Sequence, residues 1–332
     1  MNLNLTRAAR RVVPFCFLVM AAQAQATQVP GPLVDTGWLA KNLNNVVVLD
    51  ARKDTRSFIH RSKAGGKIAG VQACGAKRGG GGVSGHIPGS ALAPWNDYAP
   101  KKNGLHDELP SKQDFEKLMQ QSGVNQDSAV VIAHRGAGAP NVGFATRLYW
   151  TLKYFGHDNV AVLDGGVTKW AAEKRKIEYG RTHPGKGNWK ATAERRELVA
   201  SLDDVQKALQ QGGQVVDGMT PDLYMGLKYK KGVVAKPGHI PGTKNVPFDV
   251  LVDSGPKGAT FYPKDQLAKV AHAMGVDNSK PLTTYCNTGH IASLTWFVNS
   301  ELLGNSQTRV YDGSREEWAK DPARPMATFV VE

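Results

Sequence analysis

The sequence predicts an α/β protein with two tandem domains, each a parallel sheet with helices on both faces. The first observation behind this prediction is that short segments recur in the same order along the chain. The second is that apolar runs of strand length alternate with helical patterns within each copy, as parallel sheets require. The third is length, because 332 residues can bury two separate cores.

The recurring segments are short but keep their order. Gly-His-Ile-Pro-Gly occurs at 85–89 and again at 238–242, followed by an aromatic residue each time (Trp95 and Phe248). A Val-Val run that ends on aspartate occurs at 47–50 and at 215–217, and Asp-Gly followed by tryptophan occurs at 164–170 and at 312–318. These matches indicate a duplicated domain.

The N-terminus has the pattern of a secretory signal peptide. Arg7, Arg10 and Arg11 precede an apolar run at 12–20 that is too short to span a bilayer, and Ala24-Gln25-Ala26 fits a cleavage site. We therefore expect residues 1–26 to be removed and the protein to be periplasmic or secreted. A retained anchor is the alternative that the length disfavours. No later apolar run approaches membrane-span length, so we expect no membrane association after cleavage.

The first copy, at 27–179, is predicted to contain buried strands at 46–50, 129–133 and 160–163. Helices are predicted at 112–122 and 144–155. An insertion at about 65–82 carries Cys74 and four consecutive glycines.

A segment rich in glycine, proline and charge at 180–196 is predicted to be the interdomain linker. The second copy, at 197–332, is predicted to contain strands at 214–217, 282–285 and 308–311. Apolar residues at 291, 294, 298 and 302 have helical spacing.

The net charge and its distribution along the sequence indicate which kinds of partner to expect. The formal net charge is +13, which could indicate nucleic-acid binding. The lysines and arginines are scattered, however, and no aromatic-basic platform recurs. We therefore expect no nucleic-acid partner, and a basic surface that attracts small anions.

Cys286 is the main candidate for chemistry. It follows a predicted strand, and a tight glycine-containing loop and an apolar helix come next. Backbone amides and the positive end of a helix favour a thiolate in such a place, so the sulfur is predicted to be a nucleophile. Only Cys74 and Cys286 remain after signal cleavage, which excludes a disulfide scaffold.

The two repeats, the strand–Cys286–loop–helix order and the Asp-Gly segments together resemble the two-domain rhodanese sulfurtransferases. The resemblance implies that Cys286 takes a sulfane sulfur as a persulfide and passes it to a thiophilic acceptor such as a thiol or cyanide. It implies no cofactor. It also implies that the amides of the loop hold the anion and that Phe248 forms a wall of the pocket. The loop residues concerned are Asn287, Thr288, Gly289, His290 and Ile291.

The chain departs from the family pattern at the donor site. The loop after the nucleophile begins Asn287-Thr288, and Leu223 occupies the place of the family's substrate arginine. Lys230 and neighbouring lysines could supply the missing charge. Thiosulfate is the favoured donor, and mercaptopyruvate is the alternative donor. The alternative function is that of a non-enzymatic periplasmic sulfur carrier. A phosphatase would need an arginine that closes the loop, but position 292 is alanine.

Several other residues are candidates for a structural or a functional role. His134 stands where the second copy has Cys286, so the first copy is predicted to be a scaffold without a nucleophile. His290 could donate to an anion or be a solvent-facing loop residue. Cys74 could be idle or could react with Cys286. His86 and His239 recur in both copies, which favours a structural turn over a metal site, and no Cys or His cluster has zinc-ligand spacing.

Overall fold

The computed structural model describes residues 27–61 and 83–329. The predicted signal peptide and Cys74 therefore lie outside the described residues. The first domain begins with β1 (Leu33–Val34), α1 (Thr36–Asn42), β2 (Val47–Arg52) and α2 (Arg56–Ile59). It continues through β3 (Ala91–Pro94), α3 (Trp95–Tyr98), α4 (Lys112–Gln121), β4 (Val130–Ala133), α5 (Ala139–Tyr154), β5 (Val160–Leu163) and α6 (Gly166–Ala172).

The second domain repeats this order. It contains β6 (Val199–Ala200), α7 (Leu202–Gln210), β7 (Gln214–Asp217), α8 (Pro221–Tyr224) and β8 (Lys244–Asn245). A hairpin of β9 (Val252–Gly255) and β10 (Gly258–Phe261) follows, and then come α9 (Lys264–Ala273), β11 (Leu282–Tyr285), α10 (His290–Phe297), β12 (Thr308–Tyr311) and α11 (Ser314–Trp318). A π-helical segment, Val298–Leu302, extends α10.

Two parallel five-stranded sheets confirm the predicted fold class. Their strand orders are β1-β5-β4-β2-β3 and β6-β12-β11-β7-β8. The central strand is therefore β4 in the first sheet and β11 in the second, and each is followed by a loop and then a helix. Carboxyl ends of parallel strands are where α/β folds place their ligands, so these two loops are equivalent candidate sites.

Alternating strand residues build cores on both faces of the first sheet. Leu49 and Ile132 face a core shared with α4 and α5, whereas Val48 and Val131 face a core shared with α1 and α6. The core on the inner faces continues across the domain boundary into residues of α10. The two domains are thus packed through one continuous apolar layer, of which α5 and α10 are the central pair.

The predicted linker and one helix boundary can be compared with the observed elements. Residues 180–195 contain no helix or strand. Helix α5 begins at Ala139 instead of the predicted 144, because Pro140 suits the first turn of a helix, where its missing N–H is not needed. The Gly-His-Ile-Pro-Gly segments are structural in both copies: His86 stacks on Phe58 and His239 stacks on Tyr224.

Candidate active site around Cys286

Cys286 immediately follows β11, the central strand of the second sheet, and is only 1% exposed. Gly289, with φ +83°, turns the chain into α10. The Ser314 hydroxyl organises this turn, since its oxygen accepts hydrogen bonds from the amides of Cys286 (3.2 Å) and Gly289 (3.0 Å). Four residues, 286–289, thus connect the strand to the helix.

Backbone amides of the loop and of the first turn of α10 point at the sulfur. The Thr288 amide donates to Cys286 Sγ at 3.4 Å. Hydrogen bonds from the backbone of Thr288, Ala292 and Ile291 lower the pKa of the thiol. Burial nevertheless raises the pKa of Cys286 by more, and the nearby Asp217 carboxylate adds to the rise. The predicted preference for thiolate is therefore wrong for the resting state, because desolvation of the charge outweighs the donors.

The side chains of the loop turn towards the protein. Asn287 Oδ1 lies 3.5 Å from an Nη atom of Arg315. The Thr288 hydroxyl donates to Asp107 of the first domain at 2.6 Å. Gly289 and Ile291 contribute backbone to the turn and to the sulfur contacts. Of the predicted loop residues, the ones that contact the sulfur do so through amides.

His290 packs against the first domain. Its ring stacks on Phe144 at 4.5 Å between centroids and meets Trp95 edge-on at 4.7 Å. Burial lowers the pKa of His290 to about 4. The ring is consequently neutral near pH 7, and its place against Phe144 and Trp95 excludes the interpretation of a solvent-facing loop residue.

Phe248 and Lys230 have different environments in the structure. Phe248 is 8% exposed, belongs to the same apolar core as Cys286, and its amide donates to the Gly218 carbonyl at 3.0 Å. Lys230 is exposed on the surface. Its charge contributes to lowering the pKa of His290, so the ammonium group lies within electrostatic reach of the loop.

Sequence reasoning missed Arg315. This buried guanidinium forms an ion pair with Asp217 at the end of β7 and also donates to the Leu223 carbonyl at 3.2 Å. In the first copy, Arg52 pairs with Asp50 on the same strand, with Nε to Oδ1 at 2.6 Å. Met219 stands where the second copy would need the equivalent of Arg52. Met219 in place of an arginine, together with an arginine directly after Asp312-Gly-Ser, was the sequence signal that could have indicated the Arg315–Asp217 pair.

The first domain supplies a wall of the site that the sequence also did not reveal. Asp107 accepts hydrogen bonds from Thr288 and from Trp95 Nε1, the latter at 2.8 Å. Nearby, Arg147 of α5 forms a buried ion pair with Asp312, which follows β12. Burial raises the pKa of neighbouring Glu108 to about 8, and Asp312 adds to the rise. Charged groups of both domains therefore lie near the Cys286 loop.

The equivalent place in the first domain is filled differently. His134 follows β4, is fully buried, and has a pKa that burial lowers to about 4. Its carbonyl accepts the Val167 amide at 2.8 Å. Among the residues that the structure describes, no cluster of three or more His, Cys, Asp or Glu side chains could hold a metal ion. No helix within 27–61 or 83–329 is both long and apolar enough to cross a bilayer.

Comparison with known proteins identifies relatives over most of the chain. The family model for the rhodanese-like domain matches twice, at residues 35–173 and 201–321. A Mycolicibacterium smegmatis protein named "Putative thiosulfate sulfurtransferase" is 30% identical over 89% of this chain and 96% of its own. A Thermus thermophilus protein named sulfur carrier protein TtuD is 30% identical over 74% of this chain and 86% of its own.

Solved structures agree with these sequence matches. The crystal structure of SseA from Escherichia coli, described as a 3-mercaptopyruvate sulfotransferase with a rhodanese fold, has a TM-score of 0.68 and 25% identity. The match covers 86% of this chain and 98% of SseA. Tum1 from Saccharomyces cerevisiae has a TM-score of 0.70 at 20% identity, over 91% and 99% of the two chains.

Proposed function

The chain belongs to the rhodanese-like family, and from that premise we propose that it is a sulfurtransferase with Cys286 as its nucleophile. The observation that carries the proposal is the position of Cys286 Sγ, which follows the central strand and accepts hydrogen bonds from backbone amides of the next loop and of the first turn of α10. Such donors stabilise negative charge on sulfur. A persulfide also carries a negative charge, on its outer sulfur.

The proposed reaction has two steps. The Cys286 thiolate attacks the sulfane sulfur of thiosulfate, the S–S bond of thiosulfate breaks, and sulfite leaves with the electron pair. The resulting persulfide is then attacked at its outer sulfur by an acceptor such as cyanide, which leaves as thiocyanate and restores the thiolate. Covalent storage between two half-reactions gives ping-pong kinetics.

Thiosulfate is the donor that we favour over mercaptopyruvate. The chain is basic by composition, with a net charge of +13, and Lys230 lies within electrostatic reach of the loop. Lysine attracts an anion without the directional fork of arginine, so thiosulfate should bind weakly. Specificity constants for the two donors decide the matter, and a higher value for mercaptopyruvate would overturn this preference.

The burial of Cys286 favours one other candidate function. A cysteine that is only 1% exposed is suited to keeping a persulfide away from stray thiols, as a non-enzymatic sulfur carrier would require. The Thermus relative that is named a sulfur carrier is consistent with this alternative. Steady-state turnover with thiosulfate and cyanide supports the enzyme, whereas a single persulfide without turnover supports the carrier.

Intact-protein mass spectrometry tests the chemistry directly. Incubation with thiosulfate should add the mass of one sulfur atom, and cyanide should remove it. The Cys286→Ser variant is the control and should gain nothing. An unchanged mass of the wild-type protein after thiosulfate and after mercaptopyruvate would reject the proposal.

We also propose that the protein is exported and acts in the periplasm or outside the cell. The support is the basic, apolar and small-residue order of residues 1–26. N-terminal sequencing of protein from the native host should give a mature chain that begins at Thr27. A chain that retains Met1 and stays in the cytoplasm would contradict this proposal.

A further inference from the structure

Asp107 connects the first domain to the catalytic loop of the second. Its carboxylate accepts two side-chain hydrogen bonds, from Trp95 Nε1 to Oδ1 at 2.8 Å and from Thr288 Oγ1 to Oδ2 at 2.6 Å. Thr288 in turn directs its amide at Cys286 Sγ, at 3.4 Å. The nucleophile and a first-domain tryptophan are thus joined through one carboxylate.

The backbone at Asp107 is held in a rarely used conformation. Its φ is +60°, in the left-handed region that residues with a Cβ seldom adopt. Such strain persists only where the surroundings impose it. Here the neighbours on both sides are fixed to the second domain: His106 Nδ1 lies 2.7 Å from Glu316 Oε1, and the Leu109 amide donates to Asp312 at 3.0 Å.

From this geometry we infer that Asp107 is a positioning residue for sulfur transfer, because it fixes Thr288 so that the Thr288 amide stays on the reacting sulfur. The inference rests on the proposed function. A hydrogen bond to an ionised carboxylate is shorter and about twice as strong as one between neutral groups, and the 2.6 Å distance fits that class. Among the described residues, the hydrogen-bond partners of the Asp107 carboxylate are Trp95 and Thr288 rather than Cys286.

The position of the carboxylate has a second effect on an anionic donor. The charge of Asp107 reaches the loop, as shown by its contribution to raising the pKa of His290. Thiosulfate must approach the same loop. Asp107 therefore improves the order of the loop while it weakens attraction of the donor, so its removal should lower kcat and KM together.

Substitutions at both ends of the bond separate the two effects. Asp107→Gly removes the carboxylate and tolerates the positive φ, whereas Asp107→Asn removes the charge and keeps a hydrogen-bonding side chain. Thr288→Val removes the hydroxyl, and Thr288→Ser retains it as the matched control. Asp217 and Arg315, the charged groups next to Cys286, remain unchanged in all four variants.

The rate of alkylation of Cys286 by iodoacetamide, measured against pH, is the readout that does not depend on sulfur transfer. Thr288→Val should slow alkylation at pH 8 by about tenfold, because a charge-assisted hydrogen bond no longer orders the amide. Thr288→Ser should restore the rate. The double variant Asp107→Gly/Thr288→Val should be no slower than the slower single variant, since the two residues act through one bond.

Steady-state kinetics with thiosulfate complete the test. Asp107→Gly should lower kcat about tenfold and lower KM, whereas Asp107→Asn should lower KM with a smaller loss in kcat. Equal alkylation rates in the wild type, Thr288→Val and Thr288→Ser would overturn the inference, as would additive losses in the double variant. If wild-type protein alkylates as described but forms no persulfide, the proposed function fails instead.

Discussion

The loops after the two central strands are equivalent in the fold and opposite in content. In the second domain a small thiol leaves room for the Ser314 hydroxyl, which accepts amides from both ends of the Cys286 loop. In the first domain the His134 ring occupies that room. A Cβ on Gly166, which stands where Ser314 stands, would lie 2.3 Å from the His134 carbonyl oxygen and 2.8 Å from His134 Nδ1.

Each copy therefore has its own matched pair, Cys286 with Ser314 and His134 with Gly166. The backbone is the same in both, since Gly166 and Ser314 have φ values of +58° and +52°. At Gly166 the neighbouring His134 leaves no space for a side chain, whereas Ser314 adopts the same positive φ and supplies a hydroxyl. The two copies thus differ in the packing around this position as well as in the residue that follows the central strand.

The largest expected effect separates the two copies by activity. Cys286→Ser should reduce turnover with thiosulfate and cyanide to background, because only the sulfur of Cys286 can carry the sulfane atom. His134→Ala removes the equivalent side chain and should keep most of the turnover per folded molecule. Its melting temperature should fall, since it leaves a cavity in the core. Comparable turnover in the Ser variant would end the assignment of Cys286.

The two buried arginine–aspartate pairs provide a second comparison. Arg52→Met and Arg315→Met should each lower the free energy of unfolding by about 3–5 kcal/mol, since each leaves an unpaired buried carboxylate. Only Arg315→Met should also slow alkylation of Cys286, because uncompensated Asp217 raises the pKa of that thiol further. Denaturant titration and iodoacetamide kinetics measure the two effects. Slower alkylation in Arg52→Met would contradict this difference.

Acid should destabilise the protein partly through His134. Burial lowers its pKa from 6.5 to about 4, so the folded state binds fewer protons than the unfolded state between these values. The associated stability, roughly 3 kcal/mol, is present above pH 6.5 and is lost as pH falls towards 4. His134→Leu should show a correspondingly smaller loss, with His290 still titrating in both proteins. Identical pH dependence of unfolding would show that His134 does not contribute.

Exchange of the small partner residues should affect different properties in the two copies. Gly166→Ser should cost about 1–3 kcal/mol of stability through overpacking against His134, with turnover per folded molecule retained. Ser314→Gly should lower kcat about tenfold through the lost acceptor for two loop amides, while glycine suits the positive φ there. Thermal unfolding and kcat are measured on both variants. The main change should be a lower melting temperature in Gly166→Ser and a lower kcat in Ser314→Gly.

The smallest expected effect concerns the surface. Lys230→Ala should raise KM for thiosulfate only a few-fold, because attraction between an exposed charge and an anion is weak and screened by salt. Lys231→Ala removes the same charge from the same segment, where Lys231 lies over the Tyr229 ring, and is the control. The difference between the variants should shrink as salt is added; equal KM values at low salt would remove Lys230 from the donor site.

The repeats and the apolar runs were sufficient to predict both sheets and the position of Cys286, because these features depend on residues close in sequence. The short edge strands β1, β3, β6 and β8 and the β9–β10 hairpin were not predicted. The bond between Thr288 and Asp107 joins residues 181 positions apart, and no local pattern reports such a contact. The pKa of Cys286 was predicted in the wrong direction because the donors were visible in the sequence and the depth of burial was not.

The two Asp-Gly turns make reciprocal contacts across the domain boundary. Asp312 of the second domain accepts the Leu109 amide, and Asp164 of the first accepts the Phe261 amide, each at 3.0 Å. Leu109 and Phe261 each precede the equivalent helix, α4 and α9, by three positions. A contact in which i meets j and j meets i has the form of an isologous two-fold interface. The two domains thus pack across their boundary as two copies of one domain would pack in a two-fold dimer, with one continuous backbone connecting them.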